Sequence, residues 1–170
     1  MPVRVFLLVC DFRRARPYER PSWMPSLRNQ KSRNSLLERL QLLTPETARK
    51  WGQMDASRMI CHLGDALAMA LGDLPVKPVQ AGPFQHFPLK HLILYVFPMP
   101  KGVPTAPELL STSPATFEAD RRKVAEGIQR MAAAPGGAGP VHPFFGPLTN
   151  DEWNALQHKH IDHHLKQFGL

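Results

Sequence analysis

The C-terminal segment of the chain carries the pattern that most constrains its fold. Five residues follow one another at spacings of three or four positions: Trp153, Leu156, His160, His164 and Gln167. This spacing places them on one face of an α-helix. Because the stripe begins with two apolar residues, the face that buries them also turns His160 and His164 inward. Residues four apart stack on one helix face, so the two imidazoles can converge on one point.

The limits of this helix are marked in the sequence. Thr149 and Glu152 have the spacing of a capping box, in which each side chain satisfies a backbone N–H of the other residue. We therefore expect the helix to run from Thr149 to about Phe168.

A second predicted helix also carries a histidine on its apolar face. Asp55 is a good N-cap residue, and Gly72 is a good stop signal. Between them His62 lies on an apolar stripe with Met59 and Ala66. A polar ring on such a stripe must find a partner or bear a desolvation cost. Three neutral imidazoles around one divalent cation would satisfy all three rings at once, so His62, His160 and His164 are the predicted ligands.

The remaining segments give weaker signals. A leucine repeat predicts a helix from about Gln30 to Leu43, and Ser113-Pro114 has the composition of another helix start, with the buried side of that helix supplied by Phe117, Val124, Ile128 and Met131. The apolar segment 87–97 fits either a short helix or a buried strand. The Gly- and Pro-rich segment 135–140 predicts a flexible break.

Other interpretations of the histidines stay open at this level. A lone histidine on an apolar face is usually a hydrogen-bonded core residue, and two histidines four apart on a helix are common by chance. His163 borders the stripe and is the best substitute for His160 or His164, while His158 lies on another side of the helix. The other three histidines have no motif around them and are expected at the surface or in loops: His86, His91 and His142.

Composition narrows the classes of function. A chain of 170 residues fits one domain, and no apolar run approaches the ~20 residues that cross a bilayer. The net charge of +7 is spread thinly, without a basic stripe interleaved with aromatics, which makes nucleic acid the least favoured partner. Two cysteines in unrelated contexts, Cys10 and Cys61, form no disulfide framework. We therefore expect a cytoplasmic protein.

Residues 1–23 differ from the rest of the chain. They contain three prolines and an Arg-rich centre, and they show neither a helical stripe nor sustained alternation. Met24-Pro25-Ser26 then looks like a second beginning. We expect residues 1–23 to be a disordered extension or the product of a misassigned start, and residues 24–170 to form the folded domain.

Three sequence motifs resemble a known group of proteins. They are Trp51-Gly-Gln-Met-Asp-Ala-Ser-Arg-Met-Ile-Cys-His62, Pro100-Lys-Gly-Val-Pro-Thr-Ala-Pro-Glu108, and the C-terminal run from His142 to Trp153 with its continuation from His160 to Leu170. They resemble a bacterial branch of unknown function in the DinB/YfiT-like superfamily, and the likeness extends from near Met24 to the end of the chain. The resemblance implies an all-α fold, a four-helix bundle with a long crossover connection. It also implies a metal triad whose members map onto His62, His160 and His164.

The function implied by the resemblance is a metal-dependent one. Some relatives are thiol S-transferases or isomerases that use low-molecular-weight thiols, so we expect a transferase of that kind or a hydrolase acting on a small molecule. The ion would be Zn, Ni or Fe, Gln167 would orient a ligand, and neither Asp65 nor Asp162 is a compelling general base. A homodimer is compatible with the sequence. The alternative is a non-catalytic bundle that senses metal or binds a partner.

Overall fold

The computed structural model describes residues 24–79, 81–102, 105–110 and 112–170. The predicted extension, residues 1–23, lies outside the described residues. The described chain is mostly helical. Its helices are α1 (Gln30–Leu42), α2 (Ala56–Leu71), α3 (Leu89–Tyr95), α4 (Phe117–Ala133) and α5 (Asn150–Gln167), with short 3-10 turns at Gly82–Gln85 and Pro107–Leu110. Strands β1 (Ala138–His142) and β2 (Gly146–Thr149) precede α5 and pair as an antiparallel hairpin.

Local capping explains where the two site helices begin. The Asp55 carboxylate accepts a hydrogen bond from the backbone N–H of Arg58, and α2 ends on Gly72 in the left-handed conformation. Thr149 and Glu152 form the reciprocal capping box at the start of α5. These ends agree with the sequence predictions, because each depends on a side chain that bonds its own backbone.

The helix α2 lies at the centre of the molecule. Twelve of its 16 residues are buried, which is the pattern of a helix covered on all sides. It packs most extensively against α4, where Gly127 allows a close approach: a Cβ there would lie 3.1 Å from the Cβ of Leu67. The fully buried Trp153 joins α5 to the hairpin by donating its Nε1–H to the carbonyl of Pro140 at 2.8 Å.

Two predictions about local structure were wrong. The segment 135–140 is not simply a flexible break, because strand β1 begins at Ala138. Helix α4 begins at Phe117 rather than at Pro114, because Thr116 is the residue whose side chain accepts from a helical N–H, that of Ala119. The ambiguous segment 87–97 contains the helix α3, and α1 ends one residue before the predicted limit.

The coarse fold prediction is confirmed in that the described chain is mostly helical, with the hairpin as an addition to it. No helix among the described residues has the length and hydropathy of a membrane-spanning segment.

Candidate metal centre

Three histidines from two helices meet in the interior of the molecule. The Nε2 atom of His160 lies 3.2 Å from Nε2 of His62 and 3.1 Å from Nε2 of His164. One ring nitrogen from each of the three lies within 4.8 Å of the others. Nitrogens bound tetrahedrally at 2.0–2.1 Å from zinc would be about 3.3 Å apart. The separations of 3.1 and 3.2 Å are therefore close to those of ligands that share one ion.

The hydrogen bond of His164 determines which ring nitrogen is free. Gln167 donates its Nε2–H to the backbone carbonyl of Trp51 at 2.9 Å, which fixes the orientation of the amide. Its Oε1 then faces Nδ1 of His164 at 2.9 Å and can only accept. The proton of His164 therefore resides on Nδ1, and the lone pair on Nε2 points toward the other two rings. This geometry gives Gln167 the orienting contact expected from the sequence.

His62 is oriented in the same way by backbone. Its Nδ1 lies 3.4 Å from the carbonyl of Leu109, an acceptor, so Nδ1 carries the proton. Its Nε2 is thus the free nitrogen that faces His160. Backbone carbonyls and amides that hold the distant nitrogen of a histidine are the usual support of metal-binding imidazoles.

Burial keeps these imidazoles neutral. Burial lowers the pKa of His164 to about 3, with a further lowering from His62. Burial first, and then the neighbouring His164 and His62, hold the pKa of His160 well below its usual range. Burial also lowers the pKa of His62, against the opposing effect of the Leu109 hydrogen bond. A metal ion binds neutral imidazole, so the cluster is in its binding form at neutral pH without needing to lose a proton.

The three rings differ in their access to solvent. His62 is 3% exposed, whereas His160 and His164 are only partly buried. The cluster is thus most deeply buried on the α2 side. Three protein ligands leave a fourth position on a tetrahedral ion, which is the pattern of sites that bind water or substrate.

Nearby acidic residues are engaged elsewhere. Asp65 lies 3.3 Å from Nζ of Lys123, and Asp162 pairs with Arg39 and Lys166, each at 2.7 Å. Hydrogen bonds and charge from Lys166 and Arg39 lower the pKa of Asp162, although burial opposes them. Neither carboxylate belongs to the cluster.

The other histidines lie outside the cluster. His163 packs the edge of its ring against Trp51, with centroids 4.7 Å apart, and His158 also lies outside it. His86 is exposed, as expected. His91 lies instead in α3, where it approaches Glu152.

The prediction that His142 lies at the surface or in a loop was wrong. It ends strand β1, and its ring packs against Trp153 and Phe145 at centroid distances of 5.0 and 4.9 Å. Its Nδ1 accepts the backbone N–H groups of Phe144 and Phe145, and burial lowers its pKa to about 4. Recognising the hairpin in the sequence would have been the signal for this environment.

Sequence reasoning also missed the support that Gly52 gives. This glycine has φ +80°, and a Cβ on it would lie 2.3 Å from Nε2 of Gln167. Only glycine lets the loop approach Gln167 closely enough for the carbonyl of Trp51 to accept its hydrogen bond. The signal was present, since Trp51 and Gly52 open one of the motifs noted above.

Similarity to known proteins is confined to a family model. No curated protein and no solved structure is significantly similar to the chain. The family model described as "Protein of unknown function (DUF1569)" matches residues 25–169. The match includes all three clustered histidines and the loop that supports Gln167. The chain therefore belongs to the DUF1569 family.

Proposed function

We propose that His62, His160 and His164 bind one divalent metal ion, and that the protein is a DinB-like metal-dependent enzyme acting on a small molecule. The observation that carries the proposal is the convergence of Nε2 atoms at 3.1 and 3.2 Å. On His62 and His164 the proton is held on the opposite nitrogen by Leu109 and Gln167. Without an ion, the single Nε2–H that His160 can supply serves only one of these two nitrogens, and the other would lack a partner at a cost of about 1–3 kcal/mol.

The arrangement of the helices is compatible with the DinB-like assignment. The four longer helices are α1, α2, α4 and α5, and the chain between α2 and α4 is the counterpart of the long crossover. Bundles of this kind build metal sites from side chains on facing helices. Here α2 supplies His62, and α5 supplies His160 and His164.

The chemistry favours a transferase or a hydrolase. A bound divalent ion, zinc, nickel or iron, would supply Lewis acidity and lower the pKa of a water or thiol at its open position. Asp65 is paired with Lys123 through Oδ1 only and Asp162 is paired with Arg39; neither carboxylate lies in the cluster, and we assign a general base to neither. A low-molecular-weight thiol is the co-substrate that needs least from the protein, because a bound ion would favour its thiolate and the proton would pass to water without a general base from the chain.

The test begins with metal content. Wild-type protein loaded with zinc should hold about one ion per chain, and alanine at any of the three positions should abolish the stoichiometric binding. His163→Ala is the matched control, since the ring of His163 packs against both Trp51 and His164 but lies outside the cluster of ligand atoms. Equal loss of metal in the control, or full retention in the three variants, would contradict the site.

A second experiment addresses catalysis. Cobalt-substituted protein should change its visible absorption when a small thiol is added, because a sulfur ligand at the open position alters the cobalt spectrum. A spectrum indifferent to a panel of cellular thiols, on protein that binds cobalt stoichiometrically, would favour the metal-sensing alternative over a transferase.

A further inference from the structure

A second region of the molecule exposes apolar side chains together. Five residues form what we call the uncharged surface: Val79, Phe84, Phe87, Val141 and Phe144. They are 52%, 39%, 79%, 56% and 36% exposed, respectively. Single exposed apolar residues are ordinary on proteins, whereas a contiguous group marks an interaction site.

Contacts between two distant segments make this surface continuous. The rings of Phe84 and Phe144 lie 5.3 Å apart, which joins the turn before α3 to the turn of the hairpin. The backbone N–H of Val79 donates to the carbonyl of Pro143 at 2.8 Å. Val141 precedes this turn on β1. The surface therefore belongs to two segments that are bound to each other.

The sequence of these segments lacks charge. Residues 78–89 and 131–150 contain no Lys, Arg, Asp or Glu, although such residues make up 21% of the chain. Of the two lysines that flank the first segment, Lys90 approaches Glu152 at 3.2 Å with its side chain only 14% exposed, whereas Lys77 is exposed at the other end. Aromatic enrichment and the absence of charge are the marks of the buried centre of a protein interface, above all in homodimers.

The net charge of the chain indicates which kind of partner fits the uncharged surface. An acidic protein, a nucleic acid or an anionic membrane would be held by lysines and arginines, which these segments do not supply. A second copy of this chain carries the same net charge of +7, so two copies can meet closely only where neither presents that charge. We propose that the uncharged surface is the interface of a two-fold homodimer, in which the patch of one copy packs on the same patch of the other.

The extent of the segments is adequate for a stable contact. A standard interface uses roughly 20–30 residues from each partner. Residues 78–89 and 131–150 number 32 in all, and among those that the structure describes five are buried: Met131, Pro143, Phe145, Gly146 and Leu148. In a two-fold arrangement each residue is used twice, so a single charged substitution introduces two like charges into the same interface.

The experiment compares charged substitutions at matched exposure. Wild-type protein should sediment at twice the mass of the 19.1 kDa chain. Phe87→Glu and Val141→Glu should each sediment as monomers at the same concentration, with a dimer dissociation constant at least tenfold higher. Leu42→Glu is the control, because Leu42 is 66% exposed on α1, outside the surface, and should leave the dimer intact. Far-UV circular dichroism of each variant checks that the fold is retained.

Several outcomes would overturn the proposal. The proposal would be wrong if the wild-type protein were monomeric at every accessible concentration. It would also be wrong if the dimer persisted in both Phe87→Glu and Val141→Glu. Dissociation by Leu42→Glu would place the interface elsewhere. A monomer that binds neutral phosphatidylcholine vesicles, and loses that binding in Phe87→Glu, would identify the surface as a membrane contact instead.

Discussion

Partly buried histidines lie at two places along the α5 side of the molecule, and their ring nitrogens are used in opposite ways. His142, beside the start of the helix, has a ring whose Nδ1 accepts two backbone N–H groups. His160 and His164, two to four turns further on, aim Nε2 at each other. Burial lowers the pKa in both places, to about 4 for His142 and about 3 for His164.

The comparison shows which observation identifies a ligand site. A lowered pKa and an apolar environment are common to both groups, so neither property separates a structural histidine from a metal ligand. The difference lies in whether the protein supplies a donor to the free nitrogen. At His142 it does, and the ring needs nothing further. At the cluster the acceptors lie on the far side of His62 and His164, and the one Nε2–H that His160 can supply serves only one of their inner nitrogens, so the other requires a partner from outside the chain.

The largest expected effect is stabilisation by metal. Zinc at a free concentration 1,000 times its dissociation constant should raise the free energy of unfolding by about 4 kcal/mol, since only the folded state assembles the site. Urea unfolding with and without zinc measures the difference. His142→Ala should keep this increment and His160→Ala should lose it. If zinc raised the free energy of unfolding equally in the two variants, His160 would not differ from His142 as a metal ligand.

Removing His142 should be the next largest effect. His142→Ala is expected to cost about 3 kcal/mol, because it deletes a ring packed on Trp153 and leaves two backbone N–H groups without their acceptor. His86→Ala, at an exposed position, should change the free energy of unfolding by less than about 0.5 kcal/mol. A His142 variant as stable as this control would mean that the ring contributes nothing to the hairpin.

Acid should weaken the metal-free protein through the same residues. Between pH 6.5 and about 4 the unfolded chain binds a proton at His142 that the folded chain does not, so stability falls as the pH is lowered through this range. The loss from His142 should be on the order of 2 kcal/mol. His142→Phe keeps an aromatic ring but cannot titrate, so its unfolding curves should depend less steeply on pH. An identical slope in the variant would exclude His142 as a source.

The smallest effect concerns the support of His164. Gln167→Ala should weaken zinc binding about tenfold, or about 1.4 kcal/mol, because Nδ1 of His164 loses its fixed acceptor. Gln157→Ala is the matched control: Gln157 is buried on the same helix but bonds the carbonyl of Ala66, away from the cluster. Competition titration with a chromophoric chelator measures both affinities. Equal weakening by the two variants would show that general destabilisation, rather than orientation, is responsible.

Much of the cluster was predictable because its signals are local. The caps at Asp55 and Thr149 fix the starts of α2 and α5, and the helical period then determines which residues share a face. The sequence alone did not show that His62 would meet the α5 pair, because this depends on how α2 packs against α5; in the structure Nε2 of His62 lies 3.2 Å from Nε2 of His160.

The hairpin was not predictable in the same way. Strands β1 and β2 contain Pro140 and Pro147, and their pairing has an irregular register, so neither shows the alternation that marks a strand. Its position depends on contacts with α5, above all the bond from Trp153 to Pro140. The environment of His142 is a consequence of this tertiary contact. The start of α4 was missed for a more local reason, since Thr116 and Pro114 are competing signals and Asp120 favours the later one by accepting from the N–H of Ala115.

The capping box at Thr149 has a consequence for the angular position of the histidines. Each residue of an α-helix turns the chain by about 100°. Because Thr149 fixes where the helix begins, it also fixes the directions in which His160 and His164 point. Inserting or deleting one residue between Thr149 and His160 would rotate both imidazoles away from His62, while the helix itself would remain intact. The number of residues in this stretch is thus as much a determinant of the site as the histidines are.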